Sequence, residues 1–301
     1  MSAIKVISQL NEMNCMITLV DLYNNPTAEQ LANTVLSESE PESDKLLICL
    51  TKNRRNCSVS VICFPYGGGT AISYKYLGDA ISGISENYSL FAVNIPGHDI
   101  GGSDNLLSVE EVAQMVYQEI LNGIRGKIVL YGHCVGNAML VETARLLEKE
   151  NIDIEMIIFG AIFPPKLVRL YGNYIDPWML RSDSKIISYL NSLGLPKTSL
   201  DNEYASFIIR AFRHDARSFY RYFYKRSVQK PPLIKAPCLC VVGENDAITK
   251  EYLKKYRKWN TCCTDIKLFV LPNADHYFIN SHAKELAEII NCEMKRISYL
   301  T

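Results

Sequence analysis

A cysteine at position 134 stands between two glycines, in Gly132-His133-Cys134-Val135-Gly136, with the apolar run KIVLY before it and the amphipathic AMLVETARLLEKE after it. The frame is that of G-x-S-x-G, a strand-to-helix turn that holds a nucleophile on strained backbone, with sulfur in place of oxygen. Small residues are required two before and two after, because so sharp a turn leaves no room for Cβ atoms there. A thiolate held this way can attack a carbonyl carbon and keep the acyl group covalently. Such chemistry needs a base in reach, an acid to orient the base, and N–H donors for the oxyanion.

VLPNADHYFIN places His276 on the loop after the last strand-like run, and its position late in the chain, after the nucleophile and the acid, predicts it as the base. His98, His133, His214 and His282 lack that setting; His133, inside the elbow, is expected to pack or to shape the field. Asp275 is expected to cap its own loop. CVVGENDAIT puts Asp246 in the loop after a buried strand, with Glu244 as its rival. Asp246 is preferred because it sits just before the next helix, where a carboxylate gains from the helix dipole. One oxyanion donor is the N–H of Val135; the other lies in CFPYGGGT, from Gly67 or, as second choice, Tyr66. With neither G-x-G-x-x-G spacing nor a following Lys-Ser/Thr, that glycine run is not read as a phosphate cradle.

The elements that must hold these residues alternate. From about residue 46 onward, short apolar runs (KLLICL, CSVSVICF, YSLFAVNI, GKIVLYG, IDIEMIIFGAI, APCLCVVG, DIKLFVLP) interleave with amphipathic segments, which predicts a mostly parallel sheet covered by helices on both faces. The charged TKNRRN between the first two runs reads as a hairpin turn. Ser108 and Glu111 stand at capping-box spacing before VEEVAQMVYQEIL. Between about 164 and 232 no strand is evident, and the segment is dense in aromatics, among them Trp178, Tyr189, Phe212, Phe219, Tyr220, Tyr222 and Phe223. Helices inserted at one point of such a sheet form a lid; most of its aromatics are expected to pack it down and a few to line a substrate tunnel. Residues 1–36 read as short helices, and SESEPESD within 37–45 as an acidic linker.

Lys+Arg and Asp+Glu balance at 32 each, so nothing in the charge argues for nucleic acid or an anionic membrane surface as partner. The longest apolar runs are too short to span a bilayer and no secretory signal is visible, which leads to the expectation of a soluble, cytoplasmic protein. Ten cysteines lie largely in strand-like runs, where they read as small buried hydrophobes, and none has zinc-ligand spacing. No metal or organic cofactor is expected.

CFPYGGGT, VNIPGHD, YGHCVGNAM, FRHDARSFYRY, VVGENDAIT with the downstream Trp259, and LPNADHYFIN together resemble the landmarks of the thioesterases of nonribosomal peptide and polyketide synthesis, over about residues 46–296. The resemblance implies an α/β-hydrolase fold over 46–301 and a substrate presented on the phosphopantetheine of an acyl or peptidyl carrier protein. Asp246 matches the acid position of the stand-alone, editing branch, since IIFGAIFPP carries no carboxylate. Arg213 and Asp215 resemble a lid motif of the same branch, with no role assigned. LVDLYNNPTAEQLA is similar to the closing helices of a carrier domain, whose pantetheine-bearing serine would fall before Met1; this favours terminal product release. Three readings therefore stand: terminal offloading, editing in trans, and a non-catalytic carrier-binding module. Cysteine at the elbow speaks for catalysis, because exchange of one thioester for another keeps the acyl group activated.

Overall fold

The computed structural model describes residues 6, 7, 9, 10, 13, 15, 17–36, 45–51, 57–98, 105–167, 169, 170, 173, 174, 177, 178, 181–194 and 202–298. The expected linker 37–44 and most of the TKNRRN turn lie outside them. Seven strands form one sheet: β1 (Leu47–Cys49), β2 (Val59–Phe64), β3 (Tyr88–Val93), β4 (Lys127–His133), β5 (Met156–Gly160), β8 (Cys238–Gly243) and β9 (Lys267–Leu271), in the order β1-β3-β2-β4-β5-β8-β9. All neighbours are parallel except β1 against β3. β2, β5 and β8 are buried at every position, as strands covered on both faces must be.

Successive residues feed opposite layers. Ile62, Phe64, Leu130 and Phe159 face α4 (Val109–Gly123) and α5 (Asn137–Lys149); Val61, Cys63, Val129 and Ile158 face α3 (Lys75–Ile84) and the helix Ala283–Ser298. The capping box expected before α4 forms, with Ser108 N–H donating to Glu111 Oε2 at 2.8 Å and Glu111 N–H to Ser108 Oγ at 3.3 Å.

The expected β1–β2 hairpin does not exist. β1 pairs antiparallel with β3, Leu47 opposite Val93, because both edges of β2 are taken by the parallel strands β3 and β4. Glu119 on α4 fixes β1 in its place by accepting the N–H groups of Leu46 and Leu47, each at 2.9 Å.

The lid follows β5. It holds a two-residue antiparallel ribbon, β6 (Arg169–Leu170) with β7 (Asn173–Tyr174), then α6 (Asp183–Ser192) and the 28-residue α7 (Asn202–Gln229). The ribbon corrects the strand-free expectation for 164–232; two residue pairs are too few to write an alternation into the sequence. Phe219, Tyr222 and Phe223 press α7 onto the sheet layer, where Trp259 stacks on Phe159 with centroids 3.9 Å apart.

At the N-terminal end, α1 (Leu19–Asn24) starts at a Thr18/Asp21 capping box and α2 (Ala28–Leu36) follows a Thr27/Gln30 pair of the same kind. Tyr23 of α1 accepts a hydrogen bond from Lys75 Nζ at 3.2 Å, which seats this pair of helices against the start of α3. Among the described residues no helix is long and apolar enough to cross a membrane, and no cluster of His, Cys, Asp and Glu could hold a metal ion. All ten cysteines are free thiols.

Candidate active site

β4 ends at His133, and the chain turns through one 3-10 turn, Cys134–Gly136, into α5. Cys134 sits at φ 53°, the left-handed region that a residue with a Cβ occupies only at a cost of roughly 1–2 kcal/mol. The turn is tight enough to explain both glycines. A Cβ on Gly132 would lie 2.5 Å from Asn137 Oδ1, and one on Gly136 2.3 Å from the carbonyl oxygen of Pro65. Asn137 braces the turn from inside, its Nδ2 donating to the carbonyls of Cys134 at 2.9 Å and Gly160 at 3.0 Å.

His276, Asp246 and Cys134 come together, each almost wholly buried. Asp246 Oδ2 lies 3.1 Å from His276 Nδ1 and accepts Thr249 Oγ1 at 3.0 Å, while its Oδ1 accepts the Ile248 N–H at 2.8 Å. Burial alone would lower the His276 pKa, but the charge of Cys134, hydrogen bonds with Asp246 and Cys134, and the charge of Asp246 raise it to about 10. The imidazole is therefore a proton carrier at neutral pH. Glu244 is exposed and accepts the Asn273 N–H at 2.8 Å, so it secures the turn below the base and stays away from it. Asp275 accepts the Tyr277 N–H at 3.1 Å, the loop cap expected of it.

His133 links elbow and base. Its Nδ1 lies 2.7 Å from Tyr131 Oη and its Nε2 2.8 Å from the backbone oxygen of His276. Burial, and then the charge of His276, hold its pKa well below the ordinary value, so the ring is neutral, accepts the Tyr131 hydroxyl and donates to the carbonyl.

The CFPYGGGT loop lies beside the elbow: a Cβ on Gly67 would come within 3.2 Å of Val135 Cγ2. The carbonyl of Tyr66 accepts the Gly69 N–H at 2.8 Å, and the Tyr66 ring packs edge-on to Tyr277 at 5.0 Å. Gly68 N–H is already engaged, donating to Asp215 Oδ2 on α7 at 2.8 Å.

That carboxylate belongs to a network the sequence reading missed. Asp215 Oδ2 also lies 2.8 Å from Nε2 of His98, a fully buried ring in the loop after β3. Burial raises the Asp215 pKa, but the His98 charge and bonds from His214, His98 and Gly68 outweigh it and bring it to about 2; in turn burial would lower the His98 pKa, but the Asp215 charge and its hydrogen bond hold it above its ordinary value. On α7, two residues before, Arg213 bonds Asp183 and the carbonyl of Arg181. The two residues of the lid motif thus tie α7 to the CFPYGGGT loop and to the start of α6.

The pair makes a stability prediction. Asp215→Asn is expected to cost about 3 kcal/mol near pH 6, because it leaves a buried imidazolium without its counter-charge. His98, with a raised pKa, contributes fully below its ordinary 6.5 and progressively less as pH rises through its folded value; Asp215 contributes above its ordinary 3.8 and loses this as pH falls through about 2. The difference between wild type and variant in denaturant unfolding should therefore be largest between about pH 4 and 6.5 and shrink toward alkaline pH. A difference that is flat across that range would remove the ion pair as its cause.

Over Cys134 the lid leaves a cavity of about 240 Å3 walled by Trp178, Tyr189, Phe212, Phe219 and Tyr220, with Val135 and Ile248 from below. Trp178 meets Tyr189 and Phe212 edge-on, each at 5.1 Å between centroids. Of the aromatics of this segment, these five wall the cavity, while Tyr222 and Phe223 pack in the core beneath.

A mostly parallel sheet with a strained cysteine turn after β4, a buried aspartate after β8 and a histidine bonded to it after β9 has the architecture of an α/β hydrolase. Residues 60–293 match the thioesterase domain family, and the chain belongs to it. Phenyloxazoline synthase MbtB of Mycobacterium tuberculosis is 23% identical over 242 residues, which are 78% of this chain; the chain spans only 16% of that protein's length. Gramicidin S biosynthesis protein GrsT of Aneurinibacillus migulanus is 24% identical over 242 residues, 79% of this chain and 89% of that protein. Among solved structures, the type II thioesterase YbtT from the yersiniabactin NRPS/PKS pathway superposes with a TM-score of 0.68 at 19% identity, covering 84% of this chain and 99% of that one. The likeness in structure shows the fold.

Proposed function

We propose that this thioesterase takes an acyl or peptidyl chain from the phosphopantetheine of a carrier protein onto Cys134 and releases it as the terminal step of a nonribosomal peptide or polyketide assembly. The observation that carries the reading is Cys134 on strained backbone at the floor of a cavity walled by aromatics, in the company of a buried His276–Asp246 pair. In the first half-reaction the Cys134 thiolate adds to the thioester carbonyl carbon, and the oxyanion takes the N–H groups of Val135 and of Gly67 or Tyr66. The bond to pantetheine sulfur then breaks, and the protonated His276 supplies the leaving thiolate with its proton. In the second, His276 accepts a proton from the attacking amine, hydroxyl or water, and the Cys134–acyl bond breaks. Asp246 holds Nδ1–H throughout.

The aromatic walls suit a chain that must be kept from bulk water while an internal nucleophile closes on it. Resemblance of the N-terminal helices to the end of a carrier domain supports release over editing. Mixing the protein with an acyl thioester mimic large enough to fill the cavity, and weighing it intact, should give an adduct on wild type, localised to Cys134. No adduct and no turnover would favour a carrier-binding module that does no chemistry.

Editing in trans is the second reading, favoured by one feature. The acid stands after β8 and the end of β5 offers no carboxylate, which is the arrangement that the stand-alone branch resembles. Turnover of short acyl carriers without preference for a long native chain would support editing. Cys134→Ser separates the routes further: it is expected to accept the chain as an oxoester and shift the product toward free acid, because an ester retains less drive for attack by a weak internal nucleophile. An unchanged product distribution would make the sulfur incidental.

A further inference from the structure

A second cavity, of about 600 Å3, adjoins the one that holds Cys134, and Pro164, Pro165, Lys166 and Lys258 line both. Its other cations are Lys230 and Arg226, and among the described residues no carboxylate lines it. In a chain with equal numbers of acidic and basic side chains, four cations without an acid is a local segregation of charge. Arg226 makes the point most sharply. It is 6% exposed, its Nη2 lies a long 3.4 Å from the carbonyls of Pro232 and Cys262, and its Nε and Nη1 have no hydrogen-bond partner among the described residues. A buried guanidinium without a counter-charge is costly unless an anion comes close.

Lys166 and Lys258 are exposed and come from two separate segments, the stretch leaving β5 and the 3-10 turn Tyr256–Thr261. Neither forms an ion pair among the described residues; Glu251, the acid that feels Lys258, is bound to Lys255 at 2.6 Å. Two ammonium groups at the shared wall with a guanidinium behind it form a site for a phosphate, which lysine holds as a point charge.

We infer that this cavity receives the phosphate of a phosphopantetheine thioester while the arm passes along the shared wall to Cys134. The inference rests on the thioesterase reading given above and adds where the substrate's charge is held. A phosphate on this arm has two sources, a carrier protein or free coenzyme A.

The test is calorimetric titration of the 301-residue Cys134→Ala protein, which cannot be acylated at that position, with pantetheine and with phosphopantetheine at low salt. Phosphopantetheine should bind about tenfold tighter or more, the gain of a charge-assisted contact, and added salt should reduce the ratio. In a Lys166→Gln/Lys258→Gln background the ratio should fall toward one; using the ratio within each protein cancels general damage, and Arg226 is left intact because its loss could unfold the chain. Equal binding of the two ligands by the parent, or a preference that survives the double substitution, overturns the inference. Coenzyme A binding tighter than phosphopantetheine supports the site and names the free thioester as its source; a phosphopantetheinylated carrier binding tighter names the carrier. Acylation of Cys134 in the wild type is measured separately. An adduct with no phosphate preference sinks the site and leaves the thioesterase mechanism standing, whereas preference without an adduct does the reverse.

Discussion

Cys134→Ala is expected to lower thioester turnover by about a millionfold, to the level that binding and the oxyanion donors sustain by themselves. Members of such a triad act as a unit, so losing the atom that bonds the acyl carbon removes the covalent route whatever the state of its partners. A second readout belongs to the same variant. The charge of Cys134 and its hydrogen bond are among the causes that hold His276 up at about 10. Without them burial prevails further, and the His276 resonance in NMR should titrate at lower pH. Turnover within tenfold of wild type would show that another group carries the reaction.

Asp246→Asn should cost roughly ten-thousandfold in kcat with much less change in KM. The carboxylate accepts three hydrogen bonds, from Ile248 N–H, Thr249 Oγ1 and His276 Nδ1. An amide oxygen can keep the first, which turns the NH2 group toward Nδ1, where two donors would face each other. The histidine then answers by moving its proton to the other nitrogen, the one that must accept from an incoming nucleophile. Loss of the negative charge also lowers the His276 pKa, since Asp246 is one of the causes that raise it. That part of the effect has a sign: a raised histidine pKa contributes stability fully below 6.5 and loses it as pH rises through about 10, so the variant's deficit should be present at neutral pH and fade toward strongly alkaline pH. A drop in kcat smaller than tenfold would mean that Thr249 or solvent can orient the ring in its place.

The three residues proposed to react could be picked out in the sequence because each sits where a strand hands over to a loop, and a buried strand announces itself by an unbroken apolar run. Asp246 and Glu244 are two residues apart on the same loop, and only folding shows that one points inward while the other bonds the Asn273 turn. The pairing of β1 was misread for a related reason: a charged connection suggested a local hairpin, but which edge a strand joins is decided by all the other strands. His98 and Asp215 are 117 residues apart, and neither lies near Cys134 in sequence, so no spacing links them. VNIPGHD and FRHDARSFYRY carried the only signal, and it came through resemblance. The cationic cavity has no motif, since its four cations come from three stretches of chain.

Asp215 ties the roof of the cavity to the backbone beside the elbow. One carboxylate oxygen on the helix that roofs the cavity holds the N–H next to Gly67, the peptide proposed to stabilise the developing charge. Displacing α7 to admit a chain would take that anchor away, so the catalyst would be disassembled whenever its door stands open. A thioester would be polarised only after the roof has come down and stray water has been shut out, and an acyl group on Cys134 would stay unspent while the helix is lifted.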